Sequence, residues 1–145
     1  MTKPVYTALA HVEGGRDGGR GTTPGGELDV RLAMPKELGG DGDGVNPEQL
    51  FAVGWAACFE AVLGLVGKKE GVEAADAVID ARVSLVPAGG GRFELGAALD
   101  VTLPSIPDAA EAEKLVRTAH QLCPYSNATR GNIAVALSVN GVELS

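Results

Sequence analysis

Residues Asn46–Val66, NPEQLFAVGWAACFEAVLGLV, decide the fold. Asn46 is a favourable N-cap, Pro47 suits the first helical position, and Glu48 and Gln49 fall in the first turn. From Leu50 to Val66 apolar residues stand on nearly every face, and Glu60 is the lone charge. A helix without a polar face has to be buried all round. In a chain of 145 residues that requires a sheet and a second helix, or another subunit, wrapped about it. Lys68, Lys69 and Gly71 form the C-terminal end.

On the N-terminal side, Tyr6–Val12 reads as a strand, and Leu28, Val30 and Leu32 alternate with Asp29, Arg31 and Ala33 as a second. Together they predict a hairpin with a long glycine-rich tip over Gly14–Gly26, and Gly39–Val45 reads as a flexible acidic connector. On the C-terminal side, Val78–Val86 and Phe93–Leu103 alternate and are joined by Pro87-Ala88-Gly89-Gly90-Gly91, a second hairpin. Asp108–Leu122 carries a helical stripe of Leu115, Val116, Ala119 and Leu122, and Ile133, Val135, Leu137 and Val139 alternate before an Asn140-Gly141 turn. Strands and helices in blocks, without strict alternation, predict an α+β fold with mostly antiparallel sheets around the buried central helix. The length and the lack of a dividing linker predict a single domain over 1–145.

Composition narrows the function. A formal charge of −7 argues against nucleic acid or an anionic membrane surface as partner. No run is read as reaching the roughly 18 apolar residues of a membrane span. The start, Met1-Thr2-Lys3-Pro4-Val5-Tyr6, lacks the basic and apolar regions of a signal peptide, so a cytoplasmic location is expected. In a reducing compartment a lasting structural disulfide is disfavoured, and catalytic or sensing thiols fit better.

The chain has 2 cysteines, each in a distinctive setting. Cys58 sits more than three turns into the apolar helix, beyond reach of the helix dipole, and burial alone raises a thiol pKa. A reactive Cys58 therefore needs a cation from elsewhere in the chain; otherwise it is a small hydrophobe in a core. Cys123 precedes Pro124, which can open a short helix through Thr129 and place Cys123 at its N-cap, where a thiolate is favoured. A simple helix-terminating Cys-Pro turn is the alternative. The chain has 2 histidines, but no CxxC or HxxxH pair exists, so no metal site is expected, and His120 reads as a helix-end residue.

Three separated stretches, Gly14-Gly15-Arg16-Asp17-Gly18, then Asn46–Ala52 leading to Ala57-Cys58-Phe59, then His120–Asn132 (HQLCPYSNATRGN), resemble the organic hydroperoxide resistance (Ohr) proteins of the OsmC/Ohr family. The resemblance runs nearly end to end, with the motifs in the family's order. It implies an intertwined homodimer with two active sites at the subunit interface. It also implies a thiol peroxidase that reduces organic hydroperoxides to alcohols in peroxide stress. In that pattern Cys58 is the peroxidatic cysteine, Cys123 the resolving cysteine, Arg16 the activating cation and Glu48 its carboxylate partner. No bound cofactor is implied; dihydrolipoyl groups of lipoylated proteins are the expected reductant. Trp55 stands where a tyrosine is frequent in the family, and an extra glycine lies in Gly18-Gly19-Arg20, leaving Arg16 and Arg20 as rivals with Arg16 favoured by the GGRDG match.

The residue types suit that chemistry. A normal thiol is already a few per cent ionised near neutral pH, so complete ionisation gains a few tens-fold at most. A larger acceleration has to come from stabilising the departing alkoxide, which a guanidinium can do. Glu48 and Cys58 are ten residues apart, about 15 Å along a straight helix. Either Glu48 serves the other subunit's site, or the helix breaks before Cys58, with Gly54 the candidate. The rival functions are an OsmC-type peroxidase of broader specificity and a non-catalytic cysteine redox sensor.

Overall fold

The structure, a computed structural model, describes residues Thr2–Ser145. The element order is β1 (His11–Glu13), β2 (Arg20–Thr22), β3 (Asp29–Arg31), α1 (Pro47–Glu70), β4 (Val78–Gly89), β5 (Arg92–Thr102), α2 (Ala109–Leu122), α3 (Pro124–Thr129), β6 (Val135–Val139) and β7 (Val142–Leu144). A short 3-10 turn over Lys36–Leu38 lies between β3 and α1. The fold is α+β, as expected. One compact unit ends at Leu50, and the second runs from Phe51 to Ser145.

In the first unit the expected two-stranded hairpin is a three-stranded antiparallel sheet, ordered β1-β2-β3. The first strand is shorter than Tyr6–Val12, because the residues before His11 are exposed and pair with no strand among the described residues. The missed strand, Arg20-Gly21-Thr22, lies inside the stretch taken as the tip, and its glycine gives no alternating signal. The acidic segment before α1 is tied down. Val45 forms a parallel bridge with Leu32, and Arg31 bonds the Asp41 carboxylate and the Asp43 carbonyl.

The start of α1 is a reciprocal cap. The Gln49 N–H donates to the Asn46 side chain at 2.9 Å, and the Asn46 N–H donates to the Gln49 side chain at 3.0 Å. The helix then runs 24 residues without interruption. The break considered at Gly54 does not occur. Gly54 stays helical and its missing Cβ admits a neighbour: a methyl there would stand 3.0 Å from the Tyr125 hydroxyl.

The second unit has a four-stranded sheet ordered β4-β5-β6-β7, antiparallel except for the parallel β5–β6 pair. The Asn140-Gly141 turn joins β6 to β7 with both residues at positive φ, 49° and 83°, as a type I′ turn requires. On β4, Ile79, Ala81, Val83 and Leu85 turn inward while their neighbours face out, the period-2 signature of a sheet with one covered face. That face carries Leu99, Val101, Leu137 and Val139, which form one core with Leu115 and Val116 of α2 and with Trp55, Phe59, Leu63 and Val66 of α1. α2 opens on Asp108, whose side chain accepts the Glu111 N–H at 2.8 Å.

The sequence expectation that α1 is buried all round needs correction for the single chain. Only the stripe Trp55, Phe59, Leu63, Val66 and Gly67 is buried, whereas Val53 and Leu65 are 69% and 70% exposed. A second correction concerns length. α1 is long and apolar enough to cross a membrane by length and composition, because Glu60 alone does not interrupt the apolar run. Its buried stripe belongs to the core just described.

Candidate active site

Cys58 projects from the middle of α1 and Cys123 sits at the junction of α2 and α3. Both thiols are free. Their sulfurs lie 3.8 Å apart, within reach of an S–H···S hydrogen bond, and need about 1.7 Å of further approach to reach the roughly 2.05 Å of a disulfide. Cys123 is fully buried and Cys58 half-buried, so Cys58 is the thiol of the two that solvent reaches. Burial pushes the Cys58 thiol pKa up, and the neighbouring Cys123, by charge and by hydrogen bonding, pushes it the same way; a backbone hydrogen bond from Tyr125 opposes them.

Cys123 is the N-cap of α3, as its Cys-Pro context predicts. It is also the C-cap of α2, its N–H donating to the Ala119 carbonyl at 2.8 Å, and its side chain makes no capping bond. The two helix ends therefore present opposite signs at this residue. The α3 backbone at Tyr125 instead acts on Cys58, favouring its thiolate against the larger upward push of burial. Sequence reasoning missed that role, and only the Cys-Pro signal for a new helix hinted at it.

Around the thiols the second unit assembles an aromatic wall. Phe51 stands 5.7 Å from Trp55 and edge-on to Tyr125 at 6.0 Å. Trp55 is fully buried and donates its Nε1–H to the Ser126 hydroxyl at 3.2 Å. His120 packs its ring against Phe59 and holds its carbonyl to Arg130, while its buried Nδ1 has no hydrogen-bond partner among the described residues. His11 lies apart in β1, bonded to Glu13.

The first unit brings together the other pair. Arg16 Nη2 donates to Glu48 Oε1 at 2.5 Å, with the Arg16 side chain 37% and the Glu48 side chain 17% exposed. Arg20 is held elsewhere, in a two-pronged bond to Asp29 at 2.7 and 2.6 Å on the β2–β3 pair. The rivalry between the two arginines is thus decided for pairing with Glu48: Arg16 makes that bond. Because α1 is unbroken, Glu48 and Cys58 are separated by about 15 Å of helix rise.

A family model described as OsmC-like protein matches residues 40–138, more than half of the chain. The chain belongs to the OsmC/Ohr family. It is 46% identical over 139 residues to an organic hydroperoxide resistance protein of Xanthomonas axonopodis pv. citri, covering 94% of this chain and 96% of that one. The crystal structure of an organic hydroperoxide resistance protein OsmC from Legionella pneumophila superposes on this OsmC/Ohr chain with a TM-score of 0.89 at 46% identity, over 94% of this chain and 98% of the other. The OhrB structure of Bacillus subtilis does so with a TM-score of 0.84 at 41% identity, over 94% and 100%.

Proposed function

We propose that this OsmC/Ohr chain is a thiol-dependent peroxidase that reduces organic hydroperoxides to alcohols and serves defence against peroxide stress in the cytoplasm. The observation that carries the reading is the reduced sulfur pair at 3.8 Å, one member half-buried and the other fully buried. The names of its relatives, organic hydroperoxide resistance proteins, support the substrate class.

In this reading Cys58 thiolate attacks the outer peroxide oxygen. The O–O bond breaks, the alkoxide leaves and takes a proton as the alcohol, and Cys58 becomes a sulfenic acid. Cys123 sulfur then attacks Cys58 sulfur, hydroxide leaves as water, and a Cys58–Cys123 disulfide forms. A dithiol, with dihydrolipoyl groups of lipoylated proteins the expected donors, restores both thiols by exchange. Nothing in this cycle calls for a bound cofactor.

The raised Cys58 pKa makes a cation necessary. Arg16 fills that role, held in place by Glu48, and its guanidinium can donate both to sulfur and to the peroxide oxygen. The exposed apolar face of α1, with Val53 and Leu65, supports an intertwined homodimer in which a partner copy covers it. In such a dimer Glu48 and Arg16 serve the partner subunit's Cys58, which resolves the 15 Å of helix rise. The whole chain acts as one domain of that dimer.

The deciding experiment is steady-state consumption of tert-butyl hydroperoxide with dihydrolipoamide, beside a Cys58→Ser control. Turnover that vanishes in the control and slows with hydrogen peroxide is expected. Equal use of hydrogen peroxide would point to the broader OsmC-type activity, and stoichiometric oxidation without turnover to a redox sensor.

A further inference from the structure

Trp55 and Ser126 are both fully buried, and each lies three residues from one of the thiols, Trp55 before Cys58 on α1 and Ser126 after Cys123 on α3. On α1 that spacing sends the two side chains out about 60° apart, to neighbouring strips of one face. The same two elements are therefore tied twice, by the 3.2 Å Trp55–Ser126 hydrogen bond and by the 3.8 Å sulfur contact.

The α3 end of this arrangement is held together by its own hydrogen bonds. The Asn127 N–H donates to the Cys123 carbonyl and the Arg130 N–H to the Ser126 carbonyl, each at 2.9 Å. Thr129 adds its hydroxyl to the Tyr125 carbonyl at 2.9 Å. Ser126 cannot shift without carrying Cys123. On the other side the Trp55 ring is wedged in the core beside Phe51, and a wholly buried indole N–H that loses its acceptor is left unsatisfied.

We propose that the Trp55–Ser126 hydrogen bond positions the resolving step: it holds α1 against α3 so that Cys123 stays in line with Cys58 once Cys58 has been oxidised. This rests on the thiol-peroxidase reading. Both are positioning residues, acting through the cysteines. Attack of Cys58 on an external hydroperoxide does not depend on where Cys123 stands. Formation of the S–S bond, with hydroxide leaving Cys58 as water, depends on it directly, since the sulfurs have to close by about 1.7 Å along one line.

The test uses Ser126→Ala, Trp55→Phe and the double variant, with folding checked by circular dichroism. After one addition of tert-butyl hydroperoxide, sulfenic acid is trapped with dimedone and disulfide is followed by mass. Sulfenic acid is expected to form at the wild-type rate and disulfide about tenfold more slowly, in proportion to a lost buried hydrogen bond. Ser126→Thr, which keeps the hydroxyl, should recover most of the rate, and the double variant should be no slower than either single one. Disulfide formation at the wild-type rate in both single variants, or equal slowing of both steps, would overturn the proposal. Should wild-type protein form no sulfenic acid with the peroxide, the peroxidase reading fails by itself. The tie is then read from the dithiol–disulfide equilibrium against dithiothreitol. A shift of about tenfold toward dithiol in Ser126→Ala is expected from the same lost bond, and no shift would overturn it.

Discussion

Cys58 and Cys123 face each other across 3.8 Å, although 65 residues separate them in the chain. A half-buried thiol on the middle of a long helix meets a fully buried one at a helix junction. That asymmetry supports the proposed order of their chemistry, in which an oxidant reaches Cys58 first and Cys58 in turn meets Cys123.

The two cysteines should therefore fail differently. Cys58→Ser is expected to abolish peroxide consumption. Cys123→Ser should still be oxidised once per chain, but stop at sulfenic acid and pass on to the irreversible sulfinic form with excess peroxide. Intact mass after stoichiometric and after excess tert-butyl hydroperoxide separates the two, and a Cys123→Ser variant with undiminished turnover would refute the assignment.

Removing the Arg16 guanidinium should cost far more than ionisation alone explains. Arg16→Ala is expected to slow Cys58 oxidation about 10²–10³-fold, the usual loss when one donor to a developing oxyanion is deleted. Glu48→Gln keeps a hydrogen bond to the Arg16 guanidinium but removes the opposing carboxylate charge, and should cost roughly tenfold.

The Cys58 pKa is raised by burial, by Cys123 and by their hydrogen bond, so its unassisted thiolate fraction at neutral pH is small. In Arg16→Ala the oxidation rate should climb with pH past the ordinary thiol value of about 8.5, whereas the wild type levels off lower. Stopped-flow rates across that range, read from Trp55 fluorescence, distinguish the curves. Superimposable pH profiles would show that Arg16 does not act on the Cys58 thiol.

His120 gives the fold a pH dependence of defined sign. Burial, and secondarily the charge of Arg130, lower its pKa, so protonation is harder in the folded chain than in the unfolded one. The associated stability is complete above the unfolded value of about 6.5 and is lost as pH falls through the lowered folded value. Urea midpoints measured down to about pH 5 should decline in the wild type and decline less in His120→Gln. Parallel slopes would assign the acid sensitivity to other groups.

Gly54→Ala probes the close approach of Tyr125 to α1. Alanine gains about 1 kcal/mol of helix propensity over glycine. Its methyl would sit 3.0 Å from the hydroxyl of Tyr125, a residue 39% exposed, whose ring has solvent on one side to tilt into. The unfolding midpoint should stay at or slightly above the wild-type value, while the bulkier Gly54→Leu lowers it. A marked loss in Gly54→Ala would mean that Tyr125 is fixed in place.

The sequence by itself determined the elements whose signals are local. The Asn46-Pro47-Glu48-Gln49 cap starts α1, Asp108 starts α2, Cys123-Pro124 divides α2 from α3, and Asn140-Gly141 closes the last hairpin, because each is set by bonds within a few residues. The motifs that carry Arg16, Glu48, Cys58 and Cys123 were legible through their resemblance to the Ohr proteins. Strand β2 was not, since Arg20-Gly21-Thr22 has no alternation and exists only because β1 and β3 flank it. Apolar content told that α1 has to be covered but not by what, as a hydrophobic face specifies no partner. Only the tertiary structure decided that Cys58 meets Cys123, that Arg16 rather than Arg20 takes Glu48, and that Trp55 donates to Ser126. Those are contacts between distant residues, fixed by how the elements pack and by no local preference of the chain.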